Sequence, residues 1–226
     1  LNGYILALFH FWHDTRNEIA GDRYRYNKGK IPKSRKGVKE IILVAQDVTS
    51  YGKDLYGKPT LIDLLRDISK TGVSWIRLMY CYPELVTDEL LNEIATNNKI
   101  VKYIDIPMQH VSNSVLKRMN RRSNYQQLCA LCEKLKDRGI ALRTTFMVGF
   151  PGETEEDFEA TMELSRKARW SMTYSFIYSK REGTKAAVMP NQIDSKVKAS
   201  MEKNQRDYYL REQLQIIQEE FVLIHS

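Results

Sequence analysis

From Lys39 onward the sequence alternates short β-branched runs with amphipathic stretches, and this rhythm limits the folds open to the chain. "EIILVAQD" (40–47) is a continuous, largely β-branched run, as expected of a strand covered on both faces. A glycine-containing loop, "SYGKDLYGKP", leads to a helix, "TLIDLLRDISKTG", closed by Gly72. "VSWIRLMY" is the next strand. "TDELLNEIAT" is a helix with Thr87 as N-cap and acids in its first turn. The strand "IVKYIDIPMQH" and a short helix, "SNSVLKRM", follow. Ser123 and Gln126 fit a capping box at the head of "SNYQQLCALCEKLKDRG", which Gly139 ends. "IALRTTFMVGF" reads as a strand, "TEEDFEATMELSRKA" as a helix capped by Thr154, and "MTYSFIYS" as the last strand. From Ser195 to about Leu223 a long polar helix carries Leu210, Leu214, Ile217 and Phe221 on one stripe.

Some five strands with helices between them imply right-handed βαβ units and a parallel sheet. The closure is a complete or partial (β/α) barrel or a doubly wound open sheet, and in both cases ligands collect beyond the C-terminal ends of the strands. Those ends carry Gln46 and Asp47, Tyr80 to Pro83, Gln109 and His110, residues 149–153, and Tyr178. "VGFPGETEEDF" says most. Gly149 and Gly152 let backbone approach a planar ligand, and the N–H groups of the helix start can receive a polar group; a tight strand-to-helix turn is the plain alternative. Arg143, earlier on the same strand, either holds a carboxylate or forms a buried ion pair.

Three segments organise the chain: an irregular stretch over residues 1–37, a core over 38–194 and a C-terminal helix over 195–226. The length suits an α/β domain with a real core. The net charge of +7 is concentrated in "GDRYRYNKGKIPKSRK" (21–36), read as a solvated loop or an RNA contact. Three cysteines make no disulfide framework, which points to a reducing compartment and a cytoplasmic protein. No apolar run reaches the about 20 residues of a membrane span, and "GYILALFHFW" lacks the basic start and cleavage site of a signal peptide. Cys129 and Cys132 sit mid-helix among leucines, where i and i+3 share a face, so they read as core rather than as a redox pair. Cys81 reads as packing. His10 and His13 are read as ordinary imidazoles rather than a metal pair.

In order, "EIILVAQDVTSYGKDLYGKP", "WIRLMYCYP", "TDELLNEIA", "KYIDIPMQHVSNSVLKRMNRRS", "ALRTTFMVGFPGETEEDFE" and "YSKREGTKAA" resemble the radical S-adenosylmethionine (SAM) methylthiotransferases, over about Val38–Asn191. "AQDVTSYG" and "IPMQH" look like the RimO type, which modifies an aspartate of a small-subunit ribosomal protein. The MiaB type, which modifies a tRNA adenosine, is the alternative. The resemblance implies a partial (β/α) TIM-like barrel, a [4Fe–4S] cluster held by three cysteines, and S-adenosylmethionine on the fourth iron. It further implies that Gln109 and His110 lie near the ribose and Arg143 faces the methionine carboxylate. By the same resemblance Val148, Gly149 and Gly152 are expected by the adenine, Glu153 at the opening of the next helix, and Gln46 and Tyr178 along the cavity. The chain departs from the pattern at the cluster motif. Where the family carries C-x-x-x-C-x-x-C, this sequence reads "YILALFHFWHDTRNEIAG", with no cysteine. Phe, Trp and Ala cannot replace thiolates. The expectation is a core that does not assemble the cluster, or a non-catalytic remnant that binds SAM or the ribosome.

Overall fold

A computed structural model of the protein describes residues 4–8, 39–168 and 171–225. The basic run 21–36, His10 and His13 lie outside the described residues. The chain divides into two compact units, Leu1–Ile106 with Lys134–Leu142, and Pro107–Glu133 with Arg143–Ser226.

The first unit is built on four parallel strands: β1 (Tyr4–Leu8), β2 (Glu40–Val44), β3 (Trp75–Leu78) and β4 (Ile100–Asp105). Each pairs with its successor in sequence. Sequential order is what a (β/α) barrel produces, whereas a doubly wound sheet reverses direction at a switch point. β1 is a strand that the sequence reading did not find, in register with β2 from Tyr4 opposite Glu40 to Leu8 opposite Val44. Its helices are α1 (Lys53–Tyr56), a single turn in the expected loop, α2 (Leu61–Ser69) and α3 (Asp88–Thr96). Thr87 caps α3 as expected, its hydroxyl accepting the Leu90 N–H at 3.2 Å. Leu65, Ile68, Ile76, Leu78, Leu91, Ile94 and Ile104 form a fully buried core, the apolar faces of helices and strands meeting as their periodicities dictate.

The second unit holds α4 (Asn113–Arg118), most of α5 (Tyr125–Asp137), the parallel pair β5 (Ala141–Val148) and β6 (Met172–Ile177), α6 (Glu155–Ala168) and α7 (Ser195–His225). β5 alternates strictly, with Leu142, Thr144, Phe146 and Val148 buried and Arg143, Thr145 and Met147 half-buried. The capping box of α5 sits one residue later than expected. Asn124 Oδ1 accepts the Gln127 N–H at 2.9 Å and Gln127 Oε1 accepts the Asn124 N–H at 3.0 Å, while Ser123 is buried. The stripe expected to bury α7 is also displaced. Leu210 and Leu214 are exposed, and Lys198, Met201, Gln205 and Tyr209 form the packed face; the side chains of Ile217 and Phe221 lie outside the described ones. Met201 joins Val148, Phe158 and Met162 in one cluster. Among the described residues no helix is long and apolar enough to cross a membrane.

Candidate functional site

In the second unit β5 ends at Val148 and the chain turns through residues 149–153 into α6. Glu153 folds back over this turn. Its Oε2 accepts the N–H groups of Gly149 at 2.6 Å and Phe150 at 3.0 Å, and its Oε1 lies 3.2 Å from His110 Nε2. His110 Nδ1 accepts the Ser112 N–H at 3.0 Å, so the ring proton sits on Nε2 and is donated to Glu153. Both side chains are buried. A carboxylate here collects donors that a buried tight turn would otherwise leave orphaned. The open N–H groups expected of this turn are therefore taken by the chain itself. The α6 start is closed likewise, Thr154 and Asp157 accepting each other's N–H. Asp157 also accepts the hydroxyls of Ser112 and, at 2.8 Å, of Ser114.

The two glycines have a structural reason to be glycine. Gly149 has φ +74°, and a Cβ there would lie 2.4 Å from Lys198 Cγ. Gly152 has φ +76°, its carbonyl accepts Arg118 Nη2 at 2.9 Å, and a Cβ would lie 3.5 Å from Arg118 Cζ. The faces expected to admit a planar ligand thus carry the chain's own Lys198 and Arg118.

Tyr178 follows β6, its N–H donating to the Val148 carbonyl at 2.8 Å. Its ring meets Phe150 edge to face at 5.2 Å, amid Val115, Met119, Met147, Ala186 and Met189. Its hydroxyl is buried and makes no hydrogen bond among the described residues. An unused phenol among apolar side chains at strand ends is the kind of group a ligand satisfies. Val148 turns its side chain into the α6–α7 core, leaving only its backbone at the turn. Gln109, at φ +68°, extends the ladder: its N–H donates to Thr145 O at 2.8 Å and its carbonyl accepts the Met147 N–H at 2.7 Å. Arg143 is not brought to this turn. It starts the register of β5 with β6, six residues and about 20 Å of strand before Gly149. Its guanidinium lies 4.7 Å from the Tyr174 ring centroid. Gln46 belongs to the first unit, on a bend after β2, with its side chain exposed.

The strand ends of the first unit are stitched by Asp47 and Asp105. Asp47 accepts the Thr49 N–H at 3.0 Å and the hydroxyls of Thr49 and Ser50. Asp105 Oδ2 accepts the Tyr80 N–H at 2.9 Å, holding Tyr80 at φ +57°. Sequence reasoning missed Lys198, Arg118 and Asp157, because charged residues on amphipathic helices read as solvated.

The Radical SAM superfamily model matches residues 28–165. The chain belongs to the radical SAM superfamily. It is 52% identical over 172 residues to the ribosomal protein uS12 methylthiotransferase RimO of Clostridium botulinum (strain Hall), covering 75% of this chain and 39% of that protein. To the RimO of Caldanaerobacter subterraneus it is 54% identical over 167 residues, covering 73% and 38%. The chain thus spans about two-fifths of the length of these relatives. The Escherichia coli radical SAM enzyme coproporphyrinogen III oxidase (HemN) superposes with a TM-score of 0.61 at 15% identity, over 77% of this chain and 41% of that one. The fold is accordingly the α/β, partial TIM-like barrel type of radical SAM proteins.

Radical SAM proteins use S-adenosylmethionine and a [4Fe–4S] cluster. The thiols of this radical SAM chain do not fit the cluster. Its three cysteines are Cys81, Cys129 and Cys132, none in C-x-x-x-C-x-x-C. Cys81 is buried in the first unit; burial, then the Asp47 and Asp105 carboxylates, push its thiol well up. Burial, then Cys129 and Glu133, push Cys132 up to about 12. Thiolates are what iron requires. Among the described residues no group of three or more Cys, His, Asp or Glu side chains could hold a metal.

Proposed function

We propose that this chain is the SAM-binding core of a RimO-type methylthiotransferase whose partner is small-subunit ribosomal protein uS12 in the cytoplasm. We propose also that, as its residues stand, it engages these partners without assembling the cluster. The 52% identity to RimO over 172 residues carries the assignment. A ligand seat at the β5 and β6 ends is supported by the internally bonded Gly149–Glu153 turn, whose Phe150 ring meets the Tyr178 ring at 5.2 Å, and by a buried Tyr178 hydroxyl with no partner among the described residues. In this reading Gln109, His110, Gly149, Gly152 and Glu153 shape the seat through their backbone and internal bonds. Tyr178 offers it a donor. Arg143, six residues before Gly149 on β5, acts outside it.

Co-sedimentation tests the partner. The chain is expected to pellet with small ribosomal subunits containing uS12 and not with subunits lacking it. Retention on tRNA alone would overturn the reading in favour of the tRNA-modifying type.

A further inference from the structure

Lys198 is the fourth residue of α7, and it is placed where a lysine is doubly unfavourable. It is buried, and it stands in the first turn of a helix, whose partial positive charge repels a cation. A methionine would fill the same volume at neither cost. The compensation lies in what Lys198 spans. Its methylenes run over Gly149, where a Cβ would meet Cγ at 2.4 Å, Cδ at 3.0 Å and Cε at 3.2 Å. Its Nζ donates to the Tyr178 carbonyl at 3.4 Å and lies 4.8 Å from the Tyr178 ring centroid. Among the described side chains no carboxylate pairs with it. One side chain from outside the strand pair thus touches the β5 turn with its stem and the β6 exit with its head.

We propose that Lys198 is a positioning residue of the candidate ligand seat, clamping the Gly149 turn against Tyr178 and making the first turn of α7 the third wall of that seat. The proposal deepens the SAM reading above and rests on it for the ligand. The stem sets the turn; the ammonium fixes the carbonyl and ring of Tyr178. An ammonium 4.8 Å from a tyrosine ring centroid is attracted to that face and holds the ring in place, and the long 3.4 Å contact to the Tyr178 carbonyl adds a weaker restraint.

The test uses the full chain and two variants, with SAM affinity by equilibrium dialysis, thermal unfolding, and amide exchange of Gly149 and Phe150 without ligand. Lys198→Met keeps the stem and removes only the charge. It is expected to unfold within a few degrees of the parent, to keep slow exchange at Gly149 and Phe150, and to bind SAM at least tenfold more weakly. Lys198→Ala is expected to accelerate that exchange at least tenfold as well. A methionine variant that binds SAM within twofold of the parent would overturn the role of the ammonium. If the parent itself binds no SAM, the ligand reading fails. Exchange then decides the clamp alone: rates in Lys198→Ala within twofold of the parent overturn it, and the expected acceleration upholds it.

Discussion

Single side chains close the β5–α6 turn, and their costs separate cleanly. Replacing Gly149 by Ala imposes both a positive φ and a 2.4 Å approach to Lys198, about 2–4 kcal/mol together. Gly139→Ala, also at positive φ but with nothing within 4 Å, should cost about 1 kcal/mol. Denaturant unfolding of the two variants checks the difference, and equal losses would show that Lys198 does not press on Gly149. Asp157 supplies a pH dependence. Partial burial raises its carboxyl, but the Ser112 and Ser114 hydroxyls and the Thr154 N–H outweigh this and hold it below the usual value. A depressed folded value stabilises above the unfolded carboxyl range and is lost on acidification through the folded one, so this contribution fades below about pH 4. Asp157→Asn should flatten the acid limb of stability against pH; an unchanged limb would remove Asp157 from that account. Thiol labelling offers a third check. Cys129 is half-exposed while Cys81 and Cys132 are buried with raised thiols. One thiol should label rapidly at neutral pH and two only on unfolding. At this scale the sequence made Gly149, Glu153, His110 and Tyr178 visible, because glycine pairs and polar residues after strands stand out. It did not reveal what they touch, since contacts from α4 and α7 leave no local pattern.

At the scale of elements, periodicity located most strands and helices but not always the face they present. Thr87 and Thr154 cap the helices they were expected to cap, because an N-cap is decided within four residues. The α5 box slipped by one because "SNYQQ" offers two overlapping solutions, and Asn124 with Gln127 won. Asn124→Ala should cost about 1 kcal/mol, measured by thermal unfolding. α7 has two competing stripes. Leu210 and Leu214 look like the core face by hydrophobicity, yet Lys198, Met201, Gln205 and Tyr209 are the residues that pack. Ser175 of β6 donates to Gln205, and Ser165 of α6 meets the Tyr209 hydroxyl at 3.1 Å, so polar matching across the face outweighs a short leucine stripe. Met201→Ala should therefore cost about 2–4 kcal/mol, and Leu214→Ala less than about 0.5 kcal/mol. The reverse order would restore the leucine face. β1 escaped notice because "YILAL" is an isolated apolar pentapeptide whose partner, β2, lies some thirty residues further on; strand pairing over that distance is set by the sheet rather than by local sequence.

For the whole molecule, the family was legible because several motifs stand in one order, and the same ordering exposes what is missing. The α/β core of the superfamily is built, while its thiols are spread over one strand end and one helix. This chain folds as a radical SAM core whose three thiols do not fit the cluster. Anaerobic reconstitution of the full chain with iron and sulfide, followed by desalting and iron analysis, tests it most directly. The account predicts iron at trace level, well below one per chain, and no charge-transfer absorption. Recovery of about four irons per chain in a thiolate-ligated cubane would contradict it.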